Sequence, residues 1–178
     1  MFKKFYPCEY VDSVFSIDYK KLYDKGYKGL IFDIDNTLVH HGDDSTEEID
    51  NLFKYIHDIG FKTILLSNNN EERIQRFNKN IHTQYICDAE KPKKKNYIKA
   101  VNMMQIKKEN AIFIGDQIFT DILGANRSKI DSILVKFIRQ PNETNFGKRR
   151  KLEDIILKFY RKSKQSKSKL GNILKEEM

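Results

Sequence analysis

The chain has 178 residues, a length typical of one domain, and its 39% apolar side chains exclude a wholly disordered protein. Its formal net charge is +8, and the excess lies near the C-terminus, where residues 139–178 hold 12 basic and 5 acidic side chains. This distribution predicts attraction to a polyanion such as a nucleic acid or an anionic membrane surface. A general lysine-rich bias in the composition is the alternative explanation.

No apolar run approaches the ~20 residues that a membrane-spanning helix needs. The basic residues near the N-terminus are not followed by an apolar segment, so we expect no signal peptide. The two cysteines, Cys8 and Cys87, are few and far apart, which indicates reduced thiols. We therefore expect a cytoplasmic protein, and the basic C-terminal residues allow peripheral attachment to the inner face of the membrane.

Short apolar runs alternate with amphipathic segments along the chain. A helix is predicted at residues 19–25, and a capping box at residues 45–48 opens another that Gly60 closes. Further helices are predicted up to Phe77 and near residue 120. This alternation predicts an α/β fold, with a mainly parallel sheet covered by helices on both faces. The predicted strands are residues 30–32, 63–66, 85–87, 111–114 and 132–135, and a long helix is predicted at residues 94–104.

The C-terminal part differs in composition from the rest. We predict an α/β core at residues 1–140, including the N-terminal segment, and a basic helix and tail at residues 141–178. The helix, at residues 148–161, either lies at a lipid interface or packs on the core and leaves a disordered lysine- and serine-rich tail at residues 162–169. Its apolar residues are Leu152, Ile155, Ile156 and Phe159.

Polar side chains follow four of the predicted strands. Because the carboxyl ends of parallel strands meet at one edge of a sheet, these side chains should face one crevice, where ligands bind in such folds. The groups that converge are four carboxylates, one lysine and one serine, with neighbouring polar residues. They are Asp33, Asp35 and Thr37 after the first strand, Ser67 and Asn68 after the second, Lys91 after the third, and Asp116 and Asp121 after the fourth.

Four carboxylates in one crevice repel one another and therefore require a cation. Because the set contains only oxygen ligands, it favours Mg²⁺. A lysine and a serine beside a metal suit a phosphoryl group, whose transfer depends on positioning and charge neutralisation. The sequence contains no glycine-rich dinucleotide or Walker loop, which leaves a carboxylate as the candidate nucleophile.

The four clusters resemble, in order, the four motifs of haloacid dehalogenase superfamily phosphatases. The resemblance implies a Rossmann-like α/β fold. The intervals after the first motif and between the second and third hold little more than one helix each, so we expect no large cap domain and an open site. The motifs read Asp33-x-Asp35-Asn36-Thr37-Leu38, Ser67-Asn68-Asn69, Lys91-Pro92 and Gly115-Asp116-Gln117-x-x-Thr120-Asp121.

The resemblance implies a role for each catalytic carboxylate. Asp33 would be the nucleophile that forms an aspartyl-phosphate. Asp35 would protonate the leaving oxygen and then accept a proton from water, which requires Asp35 to be protonated more readily than Asp33. Asp116 would bind Mg²⁺ together with Asp33 and the backbone carbonyl of Asp35. Asp121 would be a further ligand or would support the others.

The resemblance also implies a phosphate-binding set. Ser67 and Lys91 would hold the phosphoryl oxygens, and Lys91 would offset the charge of Asp33. Thr37 and Asn68 would be supporting donors.

A closer resemblance is to the capless subclass III branch that includes the phosphatidylglycerophosphate phosphatases of bacteria and mitochondria. It implies hydrolysis of phosphatidylglycerophosphate at an anionic membrane surface. Two alternatives stay open: the same chemistry on a nucleic-acid end, a protein or a small soluble phosphate, and a non-catalytic basic domain that binds RNA or ribosomes. The residues that carry this resemblance are Tyr6-Pro7, Tyr10-Val11, Gly29-Leu30-Ile31-Phe32 and residues 115–127.

Overall fold

The computed structural model describes residues 3–139, 147–163 and 169–176. Within these ranges six strands form one sheet in the order β1-β6-β5-β2-β3-β4, and every neighbouring pair is parallel. The predicted α/β fold is confirmed. The strands are β1 (Glu9–Val11), β2 (Gly29–Phe32), β3 (Lys62–Leu66), β4 (Gln84–Ile86), β5 (Ala111–Gly115) and β6 (Asp131–Val135).

Helices cover both faces of the sheet. Residues alternate between the faces along each strand, so Leu30 and Phe32 join the core under α1, α2 and α3, whereas Ile31 joins the core under α4 and α5. A π-helical turn (Ile118–Ile122) precedes α5. The helices are α1 (Tyr19–Asp24), α2 (Glu47–Ile59), α3 (Glu71–Phe77), α4 (Lys94–Met103), α5 (Leu123–Ser128) and α6 (Lys148–Lys162).

Two details of the predicted elements are wrong. The N-cap of α2 is Thr46 and not Ser45, because the Thr46 side chain accepts from the backbone N–H of Ile49 at 3.3 Å. The Ser45 hydroxyl donates instead to the Asp50 carboxylate at 2.5 Å. The helix predicted near residue 120 is divided into the π-helical turn and α5.

Helix α6 packs on the core by one face. Its Ile156 and Tyr160 are buried, and Ile156 contacts a cluster that includes Leu134 of β6. Its Leu152 and Ile155 are 49% exposed and Phe159 is 52% exposed. The division of the chain at residue 140 stays a prediction. Across the described ranges, no helix has the length and hydropathy that crossing a membrane requires.

Residues 169–176 pack against the N-terminal region. Leu170 and Ile173 are buried in the core cluster that contains Ile17. The Asp18 N–H donates to the Ile173 carbonyl at 2.7 Å, and the Lys175 N–H donates to the Ser16 carbonyl at 3.0 Å. Residues 140–146, which precede α6, and residues 164–168 of the predicted tail lie outside the described residues.

The sheet order places a crevice beyond β2 and β5. The chain proceeds from β2 to β3 and β4 on one side, and β5 and β6 lie on the other side. Ligands bind outside the carboxyl ends of parallel strands where the order reverses in this way. The residues that follow β2 and β5 therefore lie where a ligand would bind in this fold.

Candidate active site

Asp33 follows β2 directly and extends its pairing with β5, since its N–H donates to the Ile114 carbonyl at 3.0 Å. Its carboxylate is buried beside Lys91, whose Nζ lies 2.7 Å from Asp33 Oδ1. The same Nζ lies 2.7 Å from Asp121 Oδ1. Two motif carboxylates thus share one buried ammonium.

Lys91 follows β4 at the start of a cis Lys91–Pro92 peptide bond. Its backbone N–H donates to Asn68 Oδ1 at 2.8 Å. Asn68 is exposed, and in this structure it orients the turn that carries Lys91. Its predicted role as a phosphate donor stays a prediction.

Two of the site carboxylates, Asp116 and Asp121, follow β5. Asp116 accepts a hydrogen bond from the Thr37 hydroxyl at 3.2 Å, and Asp121 accepts one from the Gln117 N–H at 3.0 Å. The π-helical turn brings Asp121 back against Gly115, where an added Cβ would lie 2.5 Å from the Asp121 Oδ2 atom. Only glycine at position 115 allows this close approach.

Asp33, Asp116 and Asp121 form a buried acidic cluster in which one oxygen of each lies within 4.8 Å of the others. Burial raises the pKa of Asp33, and the nearby carboxylates raise it further against the opposing effect of Lys91. Burial also raises the pKa of Asp116 to about 6. An all-oxygen set with excess negative charge fits a hard divalent cation such as Mg²⁺. The three carboxylates are the groups that would hold it.

The Asp35 carboxylate forms its hydrogen bonds with residues outside the acidic cluster. Its Oδ2 accepts from Asn69 Nδ2 at 2.6 Å, and its Oδ1 accepts from Arg73 Nη2 at 2.9 Å and from the Gly42 N–H at 3.1 Å. Burial on its own would raise the pKa of Asp35, but these donors outweigh it and lower the pKa. Without a cation, the protein's own groups therefore make Asp33 the more readily protonated of the two carboxylates, whereas the expected order applies to a site in which a metal contacts Asp33. A cation against Asp33 would lower its pKa and act against this order.

Ser67 follows β3 and is buried at the same edge of the sheet. Its Oγ accepts from the Asn69 side chain at 3.0 Å and from the Asn69 N–H at 3.2 Å. Because both contacts use Oγ as acceptor, the hydroxyl hydrogen can be donated to a ligand. Phosphate binding by Ser67, Lys91 and Thr37 stays a prediction.

Helix α6 contributes a residue to the site that the sequence did not reveal. Arg150 Nη2 pairs with Asp116 Oδ2, and Nη1 donates to the Asp116 carbonyl at 2.8 Å. Glu153, also on α6, accepts from the Ile118 N–H at 2.8 Å. The basic, amphipathic pattern of α6 predicts a helix at a lipid interface or one packed on the core, and nothing in it distinguishes Arg150 from its neighbours.

A cavity of about 270 Å³ lies between the end of β6 and α6, next to the acidic cluster. Asp116 and Arg150 line one part of it, and Leu134, Phe137 and Leu157 provide apolar walls. Between β2 and β4 the chain contributes a single helix in each interval, α2 and then α3. The arrangement can therefore hold a cation and an anionic group at an edge of the sheet without a large cap.

The chain is similar to a hydrolase family and to a protein described as a probable phosphatase. A family model described as haloacid dehalogenase-like hydrolase matches residues 40–129. The probable phosphatase YqeG of Bacillus subtilis (strain 168) is 40% identical over 137 residues, which are 76% of this chain and 80% of that protein.

Two solved structures share the fold at low sequence identity. An uncharacterized protein from Listeria monocytogenes serotype 4b has a TM-score of 0.54 at 18% identity, over 76% of this chain and 99% of that one. NagD from E. coli K-12 has a TM-score of 0.53 at 13% identity, over 67% of this chain and 93% of that one.

Proposed function

Because the chain belongs to the haloacid dehalogenase-like hydrolase family, we propose that it is a phosphatase that hydrolyses phosphate monoesters through an aspartyl-phosphate on Asp33. The observation that carries this proposal is the buried contact of Lys91 with both Asp33 and Asp121, 2.7 Å from each, beside Asp116. A carboxylate nucleophile needs nearby positive charge to approach an anionic phosphoryl group. Lys91 supplies part of that charge.

In the first half of the reaction, Asp33 attacks phosphorus while the bond to the leaving oxygen breaks and Asp35 donates a proton to that oxygen. In the second half, water attacks the aspartyl-phosphate and Asp35 accepts the proton. The lowered pKa of Asp35 suits the second half. As the leaving oxygen becomes negative beside Asp35, that charge raises the pKa of Asp35 and favours its protonation of the leaving oxygen in the first half.

The acidic cluster would hold Mg²⁺, which would neutralise charge on the carboxylates and on the phosphoryl group. Lys91 and the Ser67 hydroxyl would hold the phosphoryl oxygens, with Thr37 keeping Asp116 in place through its 3.2 Å hydrogen bond. Asn68 would contribute by orienting Lys91.

The test is phosphate release from a soluble phosphate monoester in the presence of Mg²⁺. We expect Asp33→Asn to reduce turnover by roughly 10³-fold or more, because it removes the nucleophile. Asp12→Asn, the same substitution at an exposed position, should retain wild-type turnover. Equal turnover in the Asp33→Asn variant would contradict the proposal.

For the substrate, we propose phosphatidylglycerophosphate, hydrolysed to phosphatidylglycerol by a cytoplasmic protein at the inner face of the membrane. Two features support this beyond the resemblance to the capless branch. The intervals that carry caps in larger relatives hold one helix each, which leaves room for a bulky substrate. The outer face of α6 combines exposed apolar residues with lysines, a pattern that favours anionic lipid surfaces at ~1 kcal/mol per basic residue. The residues are Leu152, Ile155 and Phe159 with Lys148, Lys151 and Lys158.

An assay with anionic vesicles tests the lipid substrate. Phosphate release from phosphatidylglycerophosphate in anionic vesicles should fall when Leu152, Ile155 and Phe159 are all replaced by serine, whereas Tyr55→Ser, an exposed aromatic on α2, should not affect it. Vesicle binding should weaken with salt, because charge attraction at a surface is screened.

The outcomes separate the alternatives. Hydrolysis of the soluble ester without hydrolysis of the lipid would contradict the lipid substrate and favour a nucleic-acid end, a protein or a small phosphate. If no ester is hydrolysed, the non-catalytic RNA- or ribosome-binding alternative gains support instead.

A further inference from the structure

We propose that Arg150 of α6 competes with the divalent cation for Asp116, so that the C-terminal helix sets the affinity of the metal site. This inference rests on the proposed cation site. It goes beyond it by assigning a function to a residue outside the four motifs.

Both oxygens of Asp116 are engaged by the protein. Oδ1 accepts from the Thr37 hydroxyl at 3.2 Å, and Oδ2 pairs with Arg150 Nη2. Arg150 also donates from Nη1 to the Asp116 carbonyl at 2.8 Å. Because the pair is partly buried, with the Asp116 side chain 0% and the Arg150 side chain 20% exposed, solvent screens it only in part. A cation that binds Asp116 through Oδ2 therefore competes with the guanidinium for the same oxygen.

Displacement of Arg150 does not require α6 to leave the core. Arg150 Nη1 is also 2.9 Å from Glu153 Oε2 on the next turn of the helix. Glu153 is itself fixed, because its Oε1 accepts from the N–H groups of Ile118 at 2.8 Å and Phe119 at 3.4 Å. The buried Ile156 and Tyr160 hold the same helix on the core. Arg150 can thus move while its helix stays in place.

The surroundings offer the displaced side chain a second position. The cavity of about 270 Å³ beside β6 is lined by Arg150 and by the carboxylates Glu153 and Asp154. The guanidinium lies 4.6 Å from the ring centroid of Phe137, which also lines that cavity. A guanidinium that leaves Asp116 therefore keeps acidic and aromatic partners within the same cavity.

The charges predict the direction of the effect. The acidic cluster carries three carboxylates against the ammonium of Lys91 and the guanidinium of Arg150. The guanidinium of Arg150 repels a divalent cation and occupies Asp116 Oδ2, an oxygen that could bind the cation. Loss of this positive charge should therefore tighten cation binding. A residue with only a structural role would have the opposite effect, because its loss would disorder Asp116 and weaken binding.

The experiment is Mg²⁺ titration of the full-length protein by calorimetry. Arg150→Gln should bind Mg²⁺ about tenfold more tightly than the wild type, because the competing charge is absent. Arg150→Lys, which keeps the charge, should lie nearer the wild type. Arg149→Gln, which removes an exposed charge from the same helix, is the matched control and should leave affinity unchanged. Asp116→Asn should weaken binding strongly and so identify the site.

A second measurement needs no variant. In the wild-type protein, the side-chain Nε–Hε resonance of Arg150 should shift on Mg²⁺ addition, while that of Arg149 should not. Unchanged or weaker Mg²⁺ binding by Arg150→Gln, or a Mg²⁺-insensitive Arg150 resonance, would overturn the inference while leaving the proposed function intact. Absence of Mg²⁺ binding in the wild type and in Arg150→Gln would overturn both.

Discussion

Lys91 is bonded to the carboxylates of Asp33 and Asp121, and its side chain is 3% exposed. Burial would lower the pKa of this lysine, but the two carboxylates raise it, so the ammonium stays charged. Lys91 and the guanidinium of Arg150 supply two positive charges against the three carboxylates of Asp33, Asp116 and Asp121. One carboxylate therefore has no balancing cation, which favours its protonation and has a consequence for stability.

In the presence of a chelator, Asp33→Asn should be more stable than the wild type at pH 7. The raised pKa of Asp33 means that the native state holds a proton that the unfolded chain has lost, so the contribution of Asp33 to stability falls as pH rises above about 4. The variant lacks this loss and should gain at least about 1 kcal/mol, the equivalent of one pKa unit. Urea unfolding at pH 4 and pH 7 measures it. A difference that is the same at both pH values would contradict the explanation.

Arg73→Met should raise the pKa of Asp35. Arg73 Nη2 donates to Asp35 Oδ1 at 2.9 Å and helps to lower that pKa. Carbon-detected NMR titration of the carboxylates checks the shift, and the part of the activity profile that reports Asp35 should move to higher pH. Arg76→Met is the matched control, because Arg76 lies on the same helix but pairs with Asp44. An equal shift in both variants would show that the effect is not specific to Arg73.

The strand-end rule predicts that all the motif residues lie at one edge of the sheet, and four of them lie together there, whereas the contacts of Asp35 lie outside this group. Asp33, Lys91, Asp116 and Asp121 lie in contact because parallel strands bring their carboxyl ends together. The same rule says nothing about contacts from outside the sheet. Arg150 reaches Asp116 from a helix whose sequence pattern predicts only which face is apolar, and not where the helix packs.

At the scale of elements, α6 has two apolar faces with different environments. Ile156 is 3% exposed and Ile155, its neighbour in sequence, is 49% exposed. The sequence left two alternatives for this helix, a lipid interface or packing on the core. The structure places one face against the core and leaves the other accessible, so the two are compatible.

Ile156→Ala should lower the free energy of unfolding by about 2–4 kcal/mol, because it removes buried methylene groups and leaves a cavity. Ile155→Ala should change it by less than about 1 kcal/mol, since that side chain is half exposed. Urea unfolding of the pair provides the measurement. Equal effects would mean that α6 does not pack on the core as described.

Element boundaries were harder to predict than element types. The sequence does not predict β1, because this strand has only three residues and its pairing with β6 depends on tertiary structure. The N-cap of α2 lies one residue after the predicted one because Ser45 and Thr46 are both suitable caps. The π-helical turn has no simple sequence pattern, yet it carries Asp121.

At the scale of the whole molecule, the described C-terminal residues contribute to the core. Leu170 and Ile173 are 2% and 1% exposed, and Lys21 contacts Glu176 at 3.3 Å. Because these contacts lie by α1, the segment links the end of the described chain to its beginning. The basic composition of this part of the sequence did not indicate such packing.

Truncation after Ser163 should lower the free energy of unfolding by about 2–5 kcal/mol, the range for loss of buried aliphatic side chains. Truncation after Lys175 removes only one exposed ion pair from the described part of the chain and should cost less than about 1 kcal/mol. Thermal or urea unfolding measures both. If truncation after Lys175 were as destabilising as truncation after Ser163, loss of the buried Leu170 and Ile173 would not explain the lower stability.

The pairing of β1 with β6 has a consequence for the synthesis of the protein. β1 leaves the ribosome before every other strand of the sheet, but its neighbour in the sheet is the strand that leaves last. During translation β1 therefore cannot form its hydrogen bonds to β6 until β6 has been synthesised, after the centre of the sheet has emerged. In refolding from denaturant all six strands are present at once. The order in which this edge closes should thus differ between a nascent chain and a refolding one.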